Sequence, residues 1–143
     1  MAESPSIALM RMKKEWKIAS HPANLRDVRK ELESFAKSAG APTEVAEAIG
    51  LVLNEALANV IRHGYNDATD RPIIVTAEED GRKIEIVIRD WAKPFDPSQI
   101  KPKCEGELTP GGLGMLCIRK LMDDVKFEHL PDGMLLRMTK KLV

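Results

Sequence analysis

The chain has 143 residues, enough for one domain that buries roughly two-thirds of the surface its unfolded form exposes. Hydrophobic residues make up 43% and charged residues 31%, as in a soluble globular protein, and 22 Lys+Arg against 22 Asp+Glu leave no net charge. With no basic excess, neither nucleic acid nor anionic membrane is an expected partner, and no apolar run approaches the length of a membrane span.

In chain order, Ile7 to Ala19 mixes apolar and charged positions and reads as a strand at a sheet edge. Its apolar run is interrupted by Arg11, Lys13, Lys14 and Glu15, so no signal peptide is expected. Ser20-His21-Pro22 opens a helix, with Ser20 as cap and Pro22 in the first turn. Leu25, Val28, Leu32 and Phe35-Ala36 recur at helical spacing until Gly40 closes the element. A second helix starts at Pro42-Thr43, capped by Thr43, and ends at Gly64. Ile73 to Ala77 and Ile84 to Asp90 form a hairpin through Glu79-Asp80-Gly81.

From Trp91 to Pro110 periodicity is lost, and Pro94, Pro97, Pro102, Gly106 and Pro110 punctuate a loop of the length expected for a lid. Gly111-Gly112-Leu113-Gly114 then leads into a helix whose inner face is expected to carry Leu113, Leu116, Cys117, Leu121 and Met122. Val125 to Leu130 and Met134 to Thr139 make a last hairpin through Pro131-Asp132-Gly133. The order β-α-α-β-β-loop-α-β-β predicts an α+β fold: one domain over residues 1–143, a two-layer α/β sandwich of a mixed, mostly antiparallel sheet with helices on one face. Cys104 and Cys117 lack metal-ligand spacing and read as reduced thiols of a cytoplasmic protein.

The second helix carries the strongest signal. Between Val45 and Ile61 its only polar side chains are Glu47, Asn54, Glu55 and Asn59. At about 100° per residue, Glu55 and Asn59 fall on one stripe roughly 40° apart, with Ala46, Ile49, Leu53, Ala56, Leu57 and Val60 expected on the far, core side. A carboxylate and an amide on the wall of a buried helix need partners. They serve either as an internal cap or salt bridge, or as a ligand site suited to hydrated Mg²⁺ and the phosphates it carries. Two further stretches join them: Asp90 at a strand end, followed by Ala92 and Pro94-Phe95-Asp96-Pro97, and the glycines before the third helix, whose N–H groups can receive phosphate.

Together these motifs resemble the histidine-kinase-like (GHKL) ATPase superfamily. Asn54-Glu55-Ala56-Leu57-Ala58-Asn59 is similar to its N box, Asp90 to Phe95 to its first glycine box, and Gly112-Leu113-Gly114 to its second. His63-Gly64-Tyr65, Pro-Phe-Asp-Pro and Gly111 to Asp123 resemble the branch of anti-sigma-factor serine kinases. The resemblance implies the Bergerat, or histidine-kinase-like, fold with ATP and Mg²⁺ as cofactors. Asn59 would ligate the metal, and Glu55 would be the general base toward a serine hydroxyl. Asp90 would accept from the adenine amino group, Ala92 and Phe95 would line the base pocket, and Gly112, Leu113, Gly114 and Met115 would close over the phosphates.

The implied function is a protein-serine kinase that sequesters a sigma factor and phosphorylates an anti-anti-sigma antagonist. The alternative is an ATP-binding module that regulates a partner by docking without phosphotransfer. A homodimer through Ile7, Leu9, Met10 and Met12 is one use of the first strand, and ordinary sheet core is the other. Ala92 and Pro94 stand where the family's first glycine box carries glycines, and Gly133-Met134 stands where its last hairpin often reads Gly-Thr.

Overall fold

The computed structural model describes residues 12–93 and 114–142. The elements are β1 (Met12–Ala19), α1 (Pro22–Ser38), α2 (Thr43–Asn59), β2 (Pro72–Glu79), β3 (Lys83–Asp90), α3 (Gly114–Leu121), β4 (Asp124–Leu130) and β5 (Gly133–Lys141). The part of the expected first strand before Met12, and all of the expected Trp91-to-Pro110 lid loop after Lys93, lie outside the described residues.

The sheet runs β1-β2-β3-β5-β4, and every neighbouring pair is antiparallel. The expected mixed character is therefore absent from the described strands. Hairpins join β2 to β3 and β4 to β5, and such short connections leave successive strands antiparallel. Ile73, Val75, Ala77, Ile84, Ile86, Ile88, Leu136 and Met138 alternate onto one buried face, which meets Leu32, Ile49, Leu53 and Leu57 of the helices in a single core. Between them Ile74, Thr76, Glu85, Val87 and Arg137 are only half-buried, so the helices cover one face.

Local details correct two expectations and add to a third. Ser20 does not cap α1; His21 does, its Nδ1 accepting the Ala23 N–H at 3.0 Å. Ser20 is fully buried, and its hydroxyl instead accepts the Arg71 N–H at 3.1 Å and donates to the Ala68 carbonyl. Thr43 is the first residue of α2 rather than its cap; Pro42 holds the cap position and makes no side-chain bond. Met122, just past the end of α3, is buried as expected and Leu121 is partly buried, while Met115 and Ile118 join them on the inner face. Among the residues expected there, Leu113 and the side chains of Leu116 and Cys117 lie outside the described part.

Gly40 does end α1 as expected. It sits at φ +103°, and the Ala41 N–H reaches back to the Ala36 carbonyl at 3.0 Å, closing the helix end. Helix α2 reaches Gly64 by a widened last turn: Val60–Gly64 is π-helical, and the Tyr65 N–H bonds the carbonyl five residues back, Val60, at 2.9 Å.

Candidate functional site

Strand β3 delivers Asp90 to the site. Its alternation puts Ile84, Ile86 and Ile88 into the core, so Asp90, next in the same phase, also points inward and is 3% exposed. Its Oδ1 accepts the N–H of Ala92 at 2.9 Å and of Met134, its β5 partner, at 3.3 Å. Burial pushes its pKa above the ordinary 3.8, while the two backbone donors and the neighbouring Arg89 pull it partly back.

Arg89 braces the same turn from outside. Its guanidinium donates to the Asp90 carbonyl, pairs with Asp132 at 2.8 Å and lies 4.2 Å from the centre of the Trp91 ring. Gly133 packs so closely on this turn that a Cβ there would press into the Asp90 carbonyl oxygen.

Helix α2 supplies the facing wall. Glu55 and Asn59 are both buried, one turn apart, as their spacing predicts. The Asn59 Nδ2 faces the Met115 sulfur at 3.9 Å, which turns the amide oxygen the other way. A small cavity of about 20 Å³ lies between helix and sheet, lined by Ala56, Asn59, Val60, Asp90, Met115, Phe127, Met134 and Leu136.

The cavity thus joins Asn59, Asp90 and Met115, which sequence reasoning singled out separately. Ala56 and Val60, expected on the far side of α2, line it together with Asn59. Glu55 is buried one turn earlier and is not among the lining residues. Ala92 is buried beside Asp90 and contributes its N–H there. Gly114 is the first residue of α3, while Phe95, Gly112 and Leu113 lie outside the described residues.

Phe127 and Leu136 were missed. Both alternate inward on the last hairpin and pair in register, a signal that the strand pattern carried. Where the family often has Gly-Thr, Met134 presents a backbone N–H to Asp90 and a thioether to the cavity. Thr139 alternates onto the opposite sheet face, opposite Glu85, and cannot replace the missing hydroxyl.

The donor set fits an adenine nucleotide. An acceptor-only carboxylate in a mostly apolar wall suits an exocyclic amine. The amide oxygen of Asn59 is a hard ligand for a divalent cation. Among the described residues no group of three or more His, Cys, Asp or Glu could hold a metal by itself.

Sheet order, helix placement and the position of the cavity define a histidine-kinase-like two-layer sandwich. Residues 18–140 match the family model described as Histidine kinase-like ATPase domain, and the chain belongs to that family. It is 30% identical over 137 residues to the serine-protein kinase RsbW of Bacillus velezensis, covering 90% of this chain and 84% of the relative. The RsbW of Oceanobacillus iheyensis is also 30% identical, over 134 residues, covering 88% and 84%. That of Listeria innocua is 32% identical over 120 residues, covering 78% and 76%.

Among solved structures, the RsbU and RsbW domains of a Mycobacterium tuberculosis protein superpose with a TM-score of 0.66 at 18% identity, covering 92% of this chain and 32% of that one. The histidine kinase domain of Erythrobacter litoralis EL346 gives 0.54 at 17% identity, covering 85% and 60%. This chain therefore spans less than two-thirds of either solved chain, and these likenesses carry the fold alone.

Proposed function

We propose that this chain is a single-domain, Mg-ATP-dependent protein-serine kinase that also sequesters a sigma factor, and that its phosphoacceptor is a serine on an anti-anti-sigma antagonist. The observation that carries this reading is the convergence of Asn59 and Asp90, from opposite layers of the fold, on one apolar-walled cavity. The RsbW relatives, named serine-protein kinases and aligned over most of the chain, support the kinase over a module acting by docking alone.

In this reading Asp90 accepts a hydrogen bond from the adenine amino group through the oxygen that Ala92 and Met134 do not engage. Asn59 would hold Mg²⁺, which would offset phosphate charge. Glu55 takes the proton from the attacking serine hydroxyl. Phosphoryl transfer needs mostly positioning and charge neutralisation, so these few groups suffice. The cavity admits little more than a water at present, and the thioethers of Met115 and Met134 are the side chains with the freedom to make room for a base. Gly112, Leu113 and Gly114 would close over the phosphates, and Ala92 and Phe95 would line the base.

A cytoplasmic site of action belongs to the same proposal; no helix among the described residues is long and apolar enough to cross a membrane. So does pairing of two copies along β1, which ends the sheet on one side among the described strands.

Substitution at the two helix residues tests the reading. Glu55→Gln should bind Mg-ATP nearly as wild type yet lose about 10²- to 10⁴-fold in transfer of labelled phosphate to the antagonist. Asn59→Ala should instead lose Mg-ATP affinity itself. A wild-type protein that transfers no phosphate, alongside a Glu55→Gln protein that regulates the sigma factor normally, would establish the docking module.

A further inference from the structure

The β2–β3 ladder ends at the pair Ile73–Asp90, and one more step would set Pro72 opposite Trp91. That rung is occupied by a side chain. The Trp91 N–H donates to the Tyr65 hydroxyl oxygen at 2.8 Å, and the same hydroxyl donates to the Pro72 carbonyl at 2.6 Å. One O–H group thus stands where a strand-to-strand bond would form, holding the two backbones apart by its own width. Past this wedge the chain turns, and the next N–H, that of Ala92, reaches Asp90 Oδ1 at 2.9 Å.

Tyr65 arrives at this point through the widened turn that begins directly after Asn59. Its ring is buried, and burial raises the pKa of its phenol, so the hydroxyl keeps the proton it donates to Pro72. The hydroxyl is therefore a rigid two-ended connector between the helix that carries Asn59 and the strand end that carries Asp90.

We infer that Tyr65 is a positioning residue for base recognition: its hydroxyl sets the turn that aims the Asp90 carboxylate and fixes the span between the Asp90 and Asn59 ends of the cavity. This rests on the reading of Asp90 as the group that accepts from adenine. Tyr65 need not touch nucleotide to act this way. A tyrosine that merely filled the core would serve equally well as phenylalanine once the nucleotide is bound. A tyrosine that aims Asp90 would not.

The test is a double-mutant cycle on the whole chain, with Tyr65→Phe, Asp90→Asn and the pair titrated with Mg-ATP and Mg-GTP by calorimetry. Tyr65→Phe keeps the ring and removes only the hydroxyl. It should weaken Mg-ATP about 5- to 20-fold, the range for one or two hydrogen bonds, and narrow the preference for ATP over GTP. In transfer assays the loss should fall on KM for ATP more than on kcat. In the Asp90→Asn background the same change should alter ATP affinity less than about 2-fold, because a residue that acts through Asp90 has nothing left to aim.

Equal losses in both backgrounds, or a lowered melting temperature with wild-type ATP affinity, would make Tyr65 structural only. If Asp90→Asn itself keeps the wild-type preference for ATP, the adenine-reading role fails and this inference falls with it. If Asp90→Asn loses the preference while Tyr65→Phe keeps it, only the positioning role fails. Should Tyr65→Phe not fold, amide exchange at Trp91 in the wild type decides: protection that rises on saturation with Mg-ATP supports the connector, and unchanged protection overturns it.

Discussion

Gly133 offers a sharp test of how tightly the Asp90 turn is built. A Cβ at this position would overlap the Asp90 carbonyl oxygen and come within 2.5 Å of Arg89 Nη1 and 2.8 Å of Trp91 Cα. Ordinary carbon contacts lie near 3.5–4.0 Å, so Gly133→Ala requires a movement of about 1.5 Å at the Asp90 carbonyl. The guanidinium of Arg89 can yield, but the other two atoms are backbone, and β3 is pinned to β5 through the pair Asp90–Met134. Overpacking of this kind costs about 1–3 kcal/mol. At about 2–4 °C per kcal/mol for a domain of this size, the melting temperature should fall by about 2–12 °C.

The displacement also acts on function. It falls on the Met134 N–H that holds Asp90 Oδ1, so Mg-ATP affinity should drop together with stability. Scanning calorimetry without nucleotide and titration with Mg-ATP measure the two effects separately. A variant that melts and binds as wild type would refute the close approach of Gly133 to Asp90.

Two further changes probe groups whose surroundings are equally specific. Because burial raises the Asp90 pKa above 3.8, the folded state holds that proton more tightly than the unfolded state, and stability falls as pH rises from near 3.8 through the raised folded value. Asp90→Asn removes that loss, so urea melts should show its stability relative to wild type improving between pH 4 and 7, while ATP affinity falls by about 1–3 kcal/mol; a gap independent of pH contradicts the burial-driven shift. Ser20→Ala deprives the Arg71 N–H and the Ala68 carbonyl of their shared partner and should cost about 1–3 kcal/mol in denaturant titration, with faster amide exchange at Arg71. A change below about 0.5 kcal/mol would show that water replaces the hydroxyl.

How much the sequence revealed depends on how local each signal was. Glu55 and Asn59 are separated by one helical turn on an apolar helix, so pattern alone placed both in its buried wall; it placed Asp90 only at a strand end, although the alternation of Ile84, Ile86 and Ile88 continues to it and turns it inward. The alternation of the last hairpin turns Phe127 and Leu136 inward, but that they line this cavity, like the role of Tyr65, depends on contacts that no local window contains. The first two reach the cavity because β5 inserts between β3 and β4, and Tyr65 meets a residue 26 positions away. The misplaced cap has the same origin: Ser20 and His21 both carry acceptors, and a partner 51 residues along draws Ser20 inward. On the short α3, eight residues are too few for periodicity to single out Met115 and Ile118 as inward-facing.

The widened turn at Val60–Gly64 bears on how this chain can change. In a regular helix each residue advances the chain about 100° around the axis. Losing one residue here would swing Tyr65 round that axis and away from both Pro72 and Trp91, whichever residue was lost. Val60, Ile61 and Gly64 of the turn are buried, whereas Arg62 is half-buried. A substitution at 62 should therefore be tolerated where a single deletion is not. The segment is constrained by count as well as by composition, like a spacer whose length is part of its message.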